Sequence, residues 1–197
     1  MITVGLTGSI ASGKSEVSRI LMAQGVPVFD SDAEVHDFYQ SEEAARLLAS
    51  VAPAACGVHG VDRAVLAALV KANPALLPRI ESLVHPLLAS RRKHFIASQS
   101  HNPAGIIVID APLLFEAGLD KEVDVTVVVS APEQLRRARA LARPSMDAEK
   151  LAVIEGRQLT DAEKRMRASF VIENHGSLED LQHEVRRVLA KIRENRS

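Results

Sequence analysis

Residues 8–15, Gly-Ser-Ile-Ala-Ser-Gly-Lys-Ser, carry two glycines, a lysine and a serine at a spacing suited to holding phosphates. They match the pattern G-x-x-x-x-G-K-[ST], whose backbone N–H groups cradle phosphate oxygens. A helix that begins near Lys14 adds the positive end of its dipole. We expect Lys14 to reach the β- and γ-phosphates of ATP, and Ser15 to bind Mg²⁺. The candidate nucleotide-binding residues are Gly8, Ala11, Ser12, Gly13, Lys14, Ser15 and Glu16.

The loop pattern alone leaves several classes of nucleotide-binding protein open. A GTPase needs an Asn-Lys-x-Asp element for guanine, and an ABC-type ATPase needs a Ser-Gly-Gly signature. Neither element occurs in the sequence. What remains is a small-molecule kinase, whose acceptor must be held by another part of the chain.

Three aspartates follow apolar stretches that indicate strands. Asp30 and Asp32 end "PVFDSD", where one carboxylate can orient an acceptor hydroxyl and take its proton. Asp30 alone is better explained as a helix cap, which leaves Asp32 as the candidate base. Asp110 ends "IIVID" and resembles the Walker-B acid that holds Mg²⁺ directly or through water. Ligands bind at this carboxyl-terminal edge of a parallel sheet.

Short apolar stretches alternate with helical patterns along the chain. Runs rich in Ile and Val are typical of strands covered on both faces, as in parallel sheets. The alternation predicts an α/β, three-layer P-loop kinase fold with a five-stranded parallel sheet. The predicted strands are 2–7, 27–30, 106–110, 123–130 and 170–172.

Two connections are too long for single crossover helices and predict added domains. We expect a nucleotide-binding core (1–30, 106–130 and 169–197), a helical acceptor domain (31–105) and a lid (131–168). The lid has nine basic residues against six acidic ones between positions 133 and 167. This positive excess indicates an anionic ligand. Within the lid we favour Arg143, in the "ARPSM" break between two helical patterns, as the arginine that meets phosphate.

Local signals place several helix boundaries. Pro132 suits the first position of a helix, and "TDAE" at 160–163 is a possible capping box. "SLED" at 177–180 starts a further helix with an apolar face. His85 precedes Pro86 and, on spacing alone, is expected at a helix boundary.

Composition excludes several kinds of partner. The net charge of −1 and an aromatic content of 3% argue against nucleic acid. No apolar run approaches the roughly 20 residues that span a bilayer, so no membrane association is expected. The single cysteine, Cys56, fits a reducing cytosol. The histidines show no zinc-site spacing and no nucleophile elbow occurs. We expect a cytoplasmic protein that is a monomer or a weak homo-oligomer.

Several segments together resemble the dephospho-coenzyme A kinase family. They are "VGLTGSIASGKSEV", "VFDSDAEVH", "GVDRAVLAALV", "IESLVHPLL", "VIDAPLLFEAGLD" and the stretch from Arg143 to Asn174. The resemblance implies a fold like the nucleoside monophosphate kinases. It also implies ATP- and Mg²⁺-dependent phosphorylation of the ribose 3′-hydroxyl of dephospho-CoA, the last step of coenzyme A synthesis.

The resemblance also carries over individual residues. Asp32 matches the proposed base and His85 the His-Pro of the acceptor domain, while Arg143 matches a lid arginine. Arg63 and Leu113 match positions near the acceptor. The departures include Ser9 and Ala11, where the family commonly has glycine, and Glu16, where it has threonine. The loop is expected to turn nevertheless, since Gly8 and Gly13 remain.

Two alternatives stay open on the residues themselves. One is another P-loop kinase that acts on a nucleotide or on a small metabolite such as shikimate. The acceptor domain of such an enzyme should carry an arginine cluster, and none is obvious here. The other is a nucleotide-binding switch without phosphoryl transfer, which would need neither Asp32 nor Asp110.

Overall fold

The structure, a computed structural model, describes residues 1–144 and 146–194. It therefore leaves out Ser145 of the "ARPSM" segment and the last three residues of the expected core range 169–197. The chain divides into two compact units. Unit 1 combines Met1–Phe29 with Gln99–Ser197, and unit 2 is Asp30–Ser98. The functional assignment of the ranges 1–30, 31–105 and 131–168 stays a prediction.

Strands and helices alternate through most of the chain, as the apolar pattern indicates. The strands are β1 (Ile2–Gly8), β2 (Val28–Asp30), β3 (Cys56–Gly57), β4 (Gly60–Val61), β5 (Ile106–Asp110), β6 (Val125–Ser130) and β7 (Phe170–Glu173). The helices are α1 (Lys14–Ala23), α2 (Ser31–Tyr39), α3 (Glu42–Leu48), α4 (Arg63–Ala72), α5 (Leu76–Ser98), α6 (Glu133–Leu141), α7 (Ala148–Glu155), α8 (Asp161–Arg167) and α9 (Leu178–Glu194).

The main sheet has the strand order β2-β5-β1-β6-β7 among the described residues. β1 pairs in parallel with β5 and β6, and β6 pairs in parallel with β7. All five residues of β5 are buried, which fits its unbroken apolar run. The expected α/β fold with a five-stranded parallel sheet is confirmed. β6 begins at Val125 rather than at residue 123, since Asp124 instead accepts a hydrogen bond from the Thr3 N–H at 2.7 Å.

Helices α1 and α9 cover the apolar core of unit 1. Val17, Ile20 and Leu21 of α1 are buried against it. The predicted stripe on α9 is buried from Leu181 onwards, whereas Leu178 is exposed. No helix in the described ranges combines the length and the apolarity that crossing a bilayer requires.

The helix boundaries follow their capping signals in most places. Thr160 caps α8 in a full capping box with Glu163, as predicted. Ser177 precedes α9, and its N–H and hydroxyl both donate to the Asp180 carboxylate. Pro132 lies one position earlier than expected, at the N-cap of α6, where its ψ of 139° is still outside the helix.

Unit 2 has a core of its own, centred on Phe38, Leu48 and Ile80. The prediction for His85 was wrong, because α5 runs from Leu76 to Ser98 with Pro86 in its interior. Proline disfavours a helix by removing one N–H and restricting the preceding residue. Here apolar residues pack on the core both before and after the proline, so burial favours the continuous helix.

Candidate active site

The loop between β1 and α1 wraps tightly on itself. Gly13 caps α1 with a φ of 96°, in the left-handed region that favours glycine. A Cβ at Gly13 would lie 2.0 Å from Asn174 Nδ2, and one at Gly8 would lie 2.7 Å from the Val129 carbonyl oxygen. Neither position has room for a side chain, and Gly13 also adopts a backbone conformation that favours glycine.

Ala11 is the non-glycine residue of this loop with a left-handed backbone, at a φ of 59°. Such a conformation costs an alanine about 1–2 kcal/mol. The methyl group of Ala11 is buried with Ala140 and Leu151, against which Ile10 and Met146 also pack. The loop therefore turns with alanine at position 11, where the family commonly has glycine. The alanine costs backbone strain, but its methyl group packs against α6 and α7.

A polar cluster lies where the loop meets β5. The Lys14 ammonium forms an ion pair with Asp110 Oδ1, and the Ser18 hydroxyl donates to Asp110 Oδ2 at 2.5 Å. Asp110 is only 2% exposed, because it ends β5, an interior strand of the sheet. Ser15, one residue beyond Lys14, is exposed in the first turn of α1. A buried acid, a lysine and an exposed hydroxyl thus surround the helix N-terminus.

A pocket of about 310 Å³ opens beside the loop. Its wall includes Arg139 of α6 and the sequence-predicted Arg143, which lies two residues beyond the end of that helix. Arg139 Nη1 is buried without a hydrogen-bond partner in the described part of the chain. The remaining lining residues are Ala11, Gly13, Glu16, Asn174, Gly176, Ser177, Leu178 and Leu181. The size and the two cations suit a ligand with a polar, anionic part.

Asn174 fixes the loop from the far edge of the sheet. Its Nδ2 donates to the Ser12 carbonyl at 2.7 Å, and its own N–H donates to the Ser130 carbonyl at 2.8 Å. Both Asn174 and Ser12 are buried. Asn174 was not identified from the sequence, where its one signal is its position directly after the last strand.

Of the expected acceptor residues, Asp32, Arg63 and His85 lie in unit 2 and Leu113 in unit 1. Asp30 Oδ1 accepts from the N–H groups of residues 32 and 33, which confirms Asp30 as a helix cap. Asp32 is exposed in the first turn of α2. His85 is exposed on α5, and Leu113 is 41% exposed.

Arg63 is held beside a histidine and an aromatic ring within unit 2. Its Nη1 lies 3.3 Å from His36 Nδ1, and its guanidinium carbon lies 5.8 Å from the centre of the Tyr39 ring. Arginine can only donate, so His36 Nδ1 is the acceptor in this contact. His36 was not identified from the sequence.

Comparison with known proteins decides between the classes that the site leaves open. The sequence model of the dephospho-CoA kinase family matches residues 2–180. The chain belongs to the dephospho-CoA kinase family. A dephospho-CoA kinase of Rhodopseudomonas palustris (strain BisB18) is 44% identical over 190 residues, which cover 96% of this chain and 95% of the relative. The resemblance inferred from the motifs is confirmed.

Solved structures agree with this membership. A crystal structure from Thermus thermophilus is 37% identical, with a TM-score of 0.81, over 96% of this chain and 97% of that one. A shikimate kinase from Acinetobacter baumannii in complex with shikimate is 14% identical, with a TM-score of 0.56, over 99% and 94% of the two chains. The second likeness shows a shared P-loop kinase fold only.

Dephospho-CoA kinases carry out the last step of coenzyme A biosynthesis, so this chain is a kinase and ATP is the co-substrate. Three further residues of this dephospho-CoA kinase join the site, although no role was assigned to them from the sequence. Gln158 contacts the phosphate loop, and Glu116 forms an ion pair with Lys164, whose side chain is fully buried. Burial lowers the pKa of Lys164, while the carboxylate of Glu116 opposes that shift.

Proposed function

We propose that the phosphate loop and its cations bind ATP and direct its γ-phosphoryl group to the ribose 3′-hydroxyl of dephospho-CoA. The observation that carries the proposal is the convergence of Gly13, Lys14 and Arg143 around one helix N-terminus. N–H groups and cations at that point stabilise the negative charge of the phosphates. Gly8, Ala11, Ser12 and Glu16 complete the backbone cradle.

The nucleoside part of ATP belongs in the pocket of about 310 Å³. Arg139 has an unpartnered Nη1 for a phosphate or ring acceptor, and Arg143 brings a second guanidinium to the loop. Arginine forks match phosphate oxygens in pairs, which orients the terminal phosphate for in-line transfer.

The same cluster fits a magnesium ion. The exposed Ser15 hydroxyl is a suitable direct ligand. Both oxygens of Asp110 are engaged by Lys14 and Ser18, so Asp110 would hold the ion through water. Mg²⁺ at this place supplies charge neutralisation to the phosphates.

We assign the acceptor mainly to residues of unit 2. Asp32 is exposed at the start of α2, free to orient the 3′-hydroxyl and to take its proton. Arg63, His85 and Leu113 are proposed as acceptor contacts, on the family resemblance and on their accessibility. Arg63 has the firmest support, since His36 and Tyr39 hold its guanidinium in place.

The net charge of −1 supports a small-molecule substrate without nucleic acid. The single cysteine supports a reducing cytoplasm. We infer no membrane association, and a monomer or weak homo-oligomer as the working state.

The decisive experiment follows ADP release from Mg-ATP with dephospho-CoA, AMP and shikimate as separate acceptors. We expect turnover with dephospho-CoA alone. Lys14→Met should lose most activity with its circular dichroism spectrum unchanged, while Lys121→Met, at an exposed lysine of the same unit, should retain it. Turnover with AMP or shikimate alone, or near-normal turnover by Lys14→Met, would refute the proposal.

Asp32 is tested separately through kcat and KM. Asp32→Asn should lower kcat strongly, because the amide cannot take the hydroxyl proton. Asp37→Asn, at an exposed aspartate of the same helix, is the matched control. A rise in the KM for dephospho-CoA at constant kcat would make Asp32 a binding residue instead.

A further inference from the structure

The side chain of Gln158 contacts the phosphate loop at Ile10, whereas Asn174 contacts it at Ser12. Its Oε1 accepts a hydrogen bond from the Ile10 N–H at 3.0 Å, between residues 148 positions apart. Ile10 occupies the middle of the loop, where inward N–H groups serve phosphates. A neutral side chain therefore engages the loop next to the place where we assign the nucleotide.

The position of Gln158 is fixed by its neighbour in the chain. The Leu159 N–H donates to Glu116 Oε1 at 2.7 Å, and the same oxygen lies 3.0 Å from Lys164 Nζ. The Lys164 side chain is fully buried. This ion pair allows little movement, because breaking it would leave the buried Lys164 ammonium without its anionic partner.

The ion pair is in turn tied to the strand that carries the loop. Lys164 Nζ donates to the Pro112 carbonyl at 2.9 Å, and the Thr7 hydroxyl donates to that carbonyl at 3.0 Å. Thr7 lies in β1 directly before the loop and is fully buried. Gln158 and Ile10 therefore share one rigid support, which holds the Gln158 carboxamide against the loop.

The amide nitrogen of Gln158, Nε2, is available to donate a hydrogen bond. While Oε1 is engaged by Ile10, Nε2 has no hydrogen-bond partner within residues 1–144 and 146–194. Gln158 also lines a cavity of about 820 Å³ together with Ser9, the loop residue before Ile10. Phosphoryl transfer gains from fixed donors aimed at the equatorial oxygens of the transferring group.

We propose that Gln158 is a further phosphate-binding residue of this reaction, in which Oε1 anchors on the Ile10 N–H and Nε2 donates to an oxygen of the transferring phosphoryl group. The proposal rests on the function proposed above. Its chemistry requires a carboxamide, because a carboxylate would keep the anchor on Ile10 but would present negative charge to the phosphate. An apolar side chain would lose both interactions.

The test compares Gln158→Met and Gln158→Glu with the wild-type enzyme and with Gln134→Met, a substitution of an exposed glutamine on α6. Steady-state kinetics with Mg-ATP and dephospho-CoA give kcat and both KM values. Loss of one hydrogen bond to a charged oxygen should lower the kcat of Gln158→Met by about 10- to 100-fold. The KM for dephospho-CoA should change by less than about 3-fold, as expected for an interaction made in the transition state.

Gln158→Glu distinguishes a residue that contacts the phosphate from one that only holds the loop in place. We expect its kcat to be at or below that of Gln158→Met, since the anchor is kept and the donor is replaced by an anion. A kcat of Gln158→Glu near that of the wild type would overturn the proposal, as would an unchanged kcat in Gln158→Met. Circular dichroism verifies folding, and Gln158→Asn, too short to reach both partners, replaces any variant that fails to fold.

Failure of this proposal is distinguishable from failure of the proposed function. If the wild type and Gln134→Met release ADP with dephospho-CoA but the Gln158 variants do so equally well, only the role of Gln158 is refuted. If the wild type releases no ADP with dephospho-CoA, the proposed function fails, and the role of Gln158 fails with it.

Discussion

Substituting Gly13 by alanine should destabilise the protein for two reasons that can be measured separately. A φ of 96° costs an alanine about 1–2 kcal/mol of backbone strain. The new Cβ would lie 2.0 Å from Asn174 Nδ2, so Asn174 must leave the Ser12 carbonyl, which it contacts at 2.7 Å. Loss of that buried hydrogen bond adds about 1–3 kcal/mol. The expected total is about 2–5 kcal/mol.

Asn174→Ala removes the steric part in advance. The Cβ of residue 174 would lie 4.0 Å from a Cβ at position 13, which is ordinary van der Waals contact. In that background Gly13→Ala should cost only the strain of about 1–2 kcal/mol. The double-mutant cycle should therefore show a coupling of about 1–3 kcal/mol between the two positions.

The cycle is measured by urea unfolding of the wild type, the two single variants and the double variant, followed by circular dichroism. Equal m values show that all four lose the same surface on unfolding. If the free energies of unfolding add to within about 0.5 kcal/mol, Asn174 and Gly13 act independently. That result would refute the inference that Asn174 holds the loop through Ser12.

Three further predictions concern stability and are also measured by urea unfolding. Ala11→Gly should change the free energy of unfolding by less than about 1 kcal/mol. The relief of backbone strain is offset by the loss of a buried methyl group and by the greater freedom of glycine in the unfolded chain. A loss of stability above about 2 kcal/mol would contradict the strain at Ala11. Hydrogen bonds from Thr160 hold the pKa of Glu163 below its ordinary value near 4.5, so the stability that they provide above pH 4.5 is lost as the pH falls below it. Glu163→Gln should flatten that acid loss, and an unchanged pH dependence would exclude the contribution. Pro86→Ala should raise the free energy of unfolding by up to about 3 kcal/mol, by restoring the N–H that reaches the Ser82 carbonyl; a decrease would show that the proline ring contributes more by its contacts.

The sheet was predictable because its three inner strands are buried on both faces. β5 begins with its run of Ile and Val and ends one residue beyond that run, at Asp110, and all five of its residues are buried. Strand ends were less certain. The Asp124 side chain accepts a hydrogen bond from Thr3 of β1 just before the regular pairing of β6 begins. The apolar pattern of the sequence does not show such a side-chain contact.

Unit 2 was less predictable because its local signals conflict with its packing. A histidine followed by Pro86 indicates a boundary, yet α5 continues through it. The apolar residues on either side share one core, and burying them outweighs one lost hydrogen bond. Local propensity could not show this, because the core is assembled from helices that are distant in sequence.

The phosphate loop was predictable since its pattern is local, whereas the side chains that hold it are not. Asn174 and Gln158 contact the loop from residues 162 and 148 positions away. Each does so with one polar atom on one backbone group, which leaves no periodicity in the sequence. Only the folded sheet, with the segments after β6 and β7 at its carboxyl-terminal edge, brings them to the loop.

Both loop contacts are made by carboxamides, and the chemistry of the site explains that choice. Asn174 donates to the Ser12 carbonyl, and Gln158 accepts from the Ile10 N–H, so the loop is held through groups of opposite character. A carboxylate at position 158 could accept from the Ile10 N–H but would repel the phosphate. An ammonium at position 174 could donate to the Ser12 carbonyl but would compete with Lys14 for the phosphate. A neutral group that both donates and accepts fixes the loop without adding charge beside the nucleotide. The positive charge then stays with Lys14, Arg139 and Arg143, where the transferring phosphoryl group needs it.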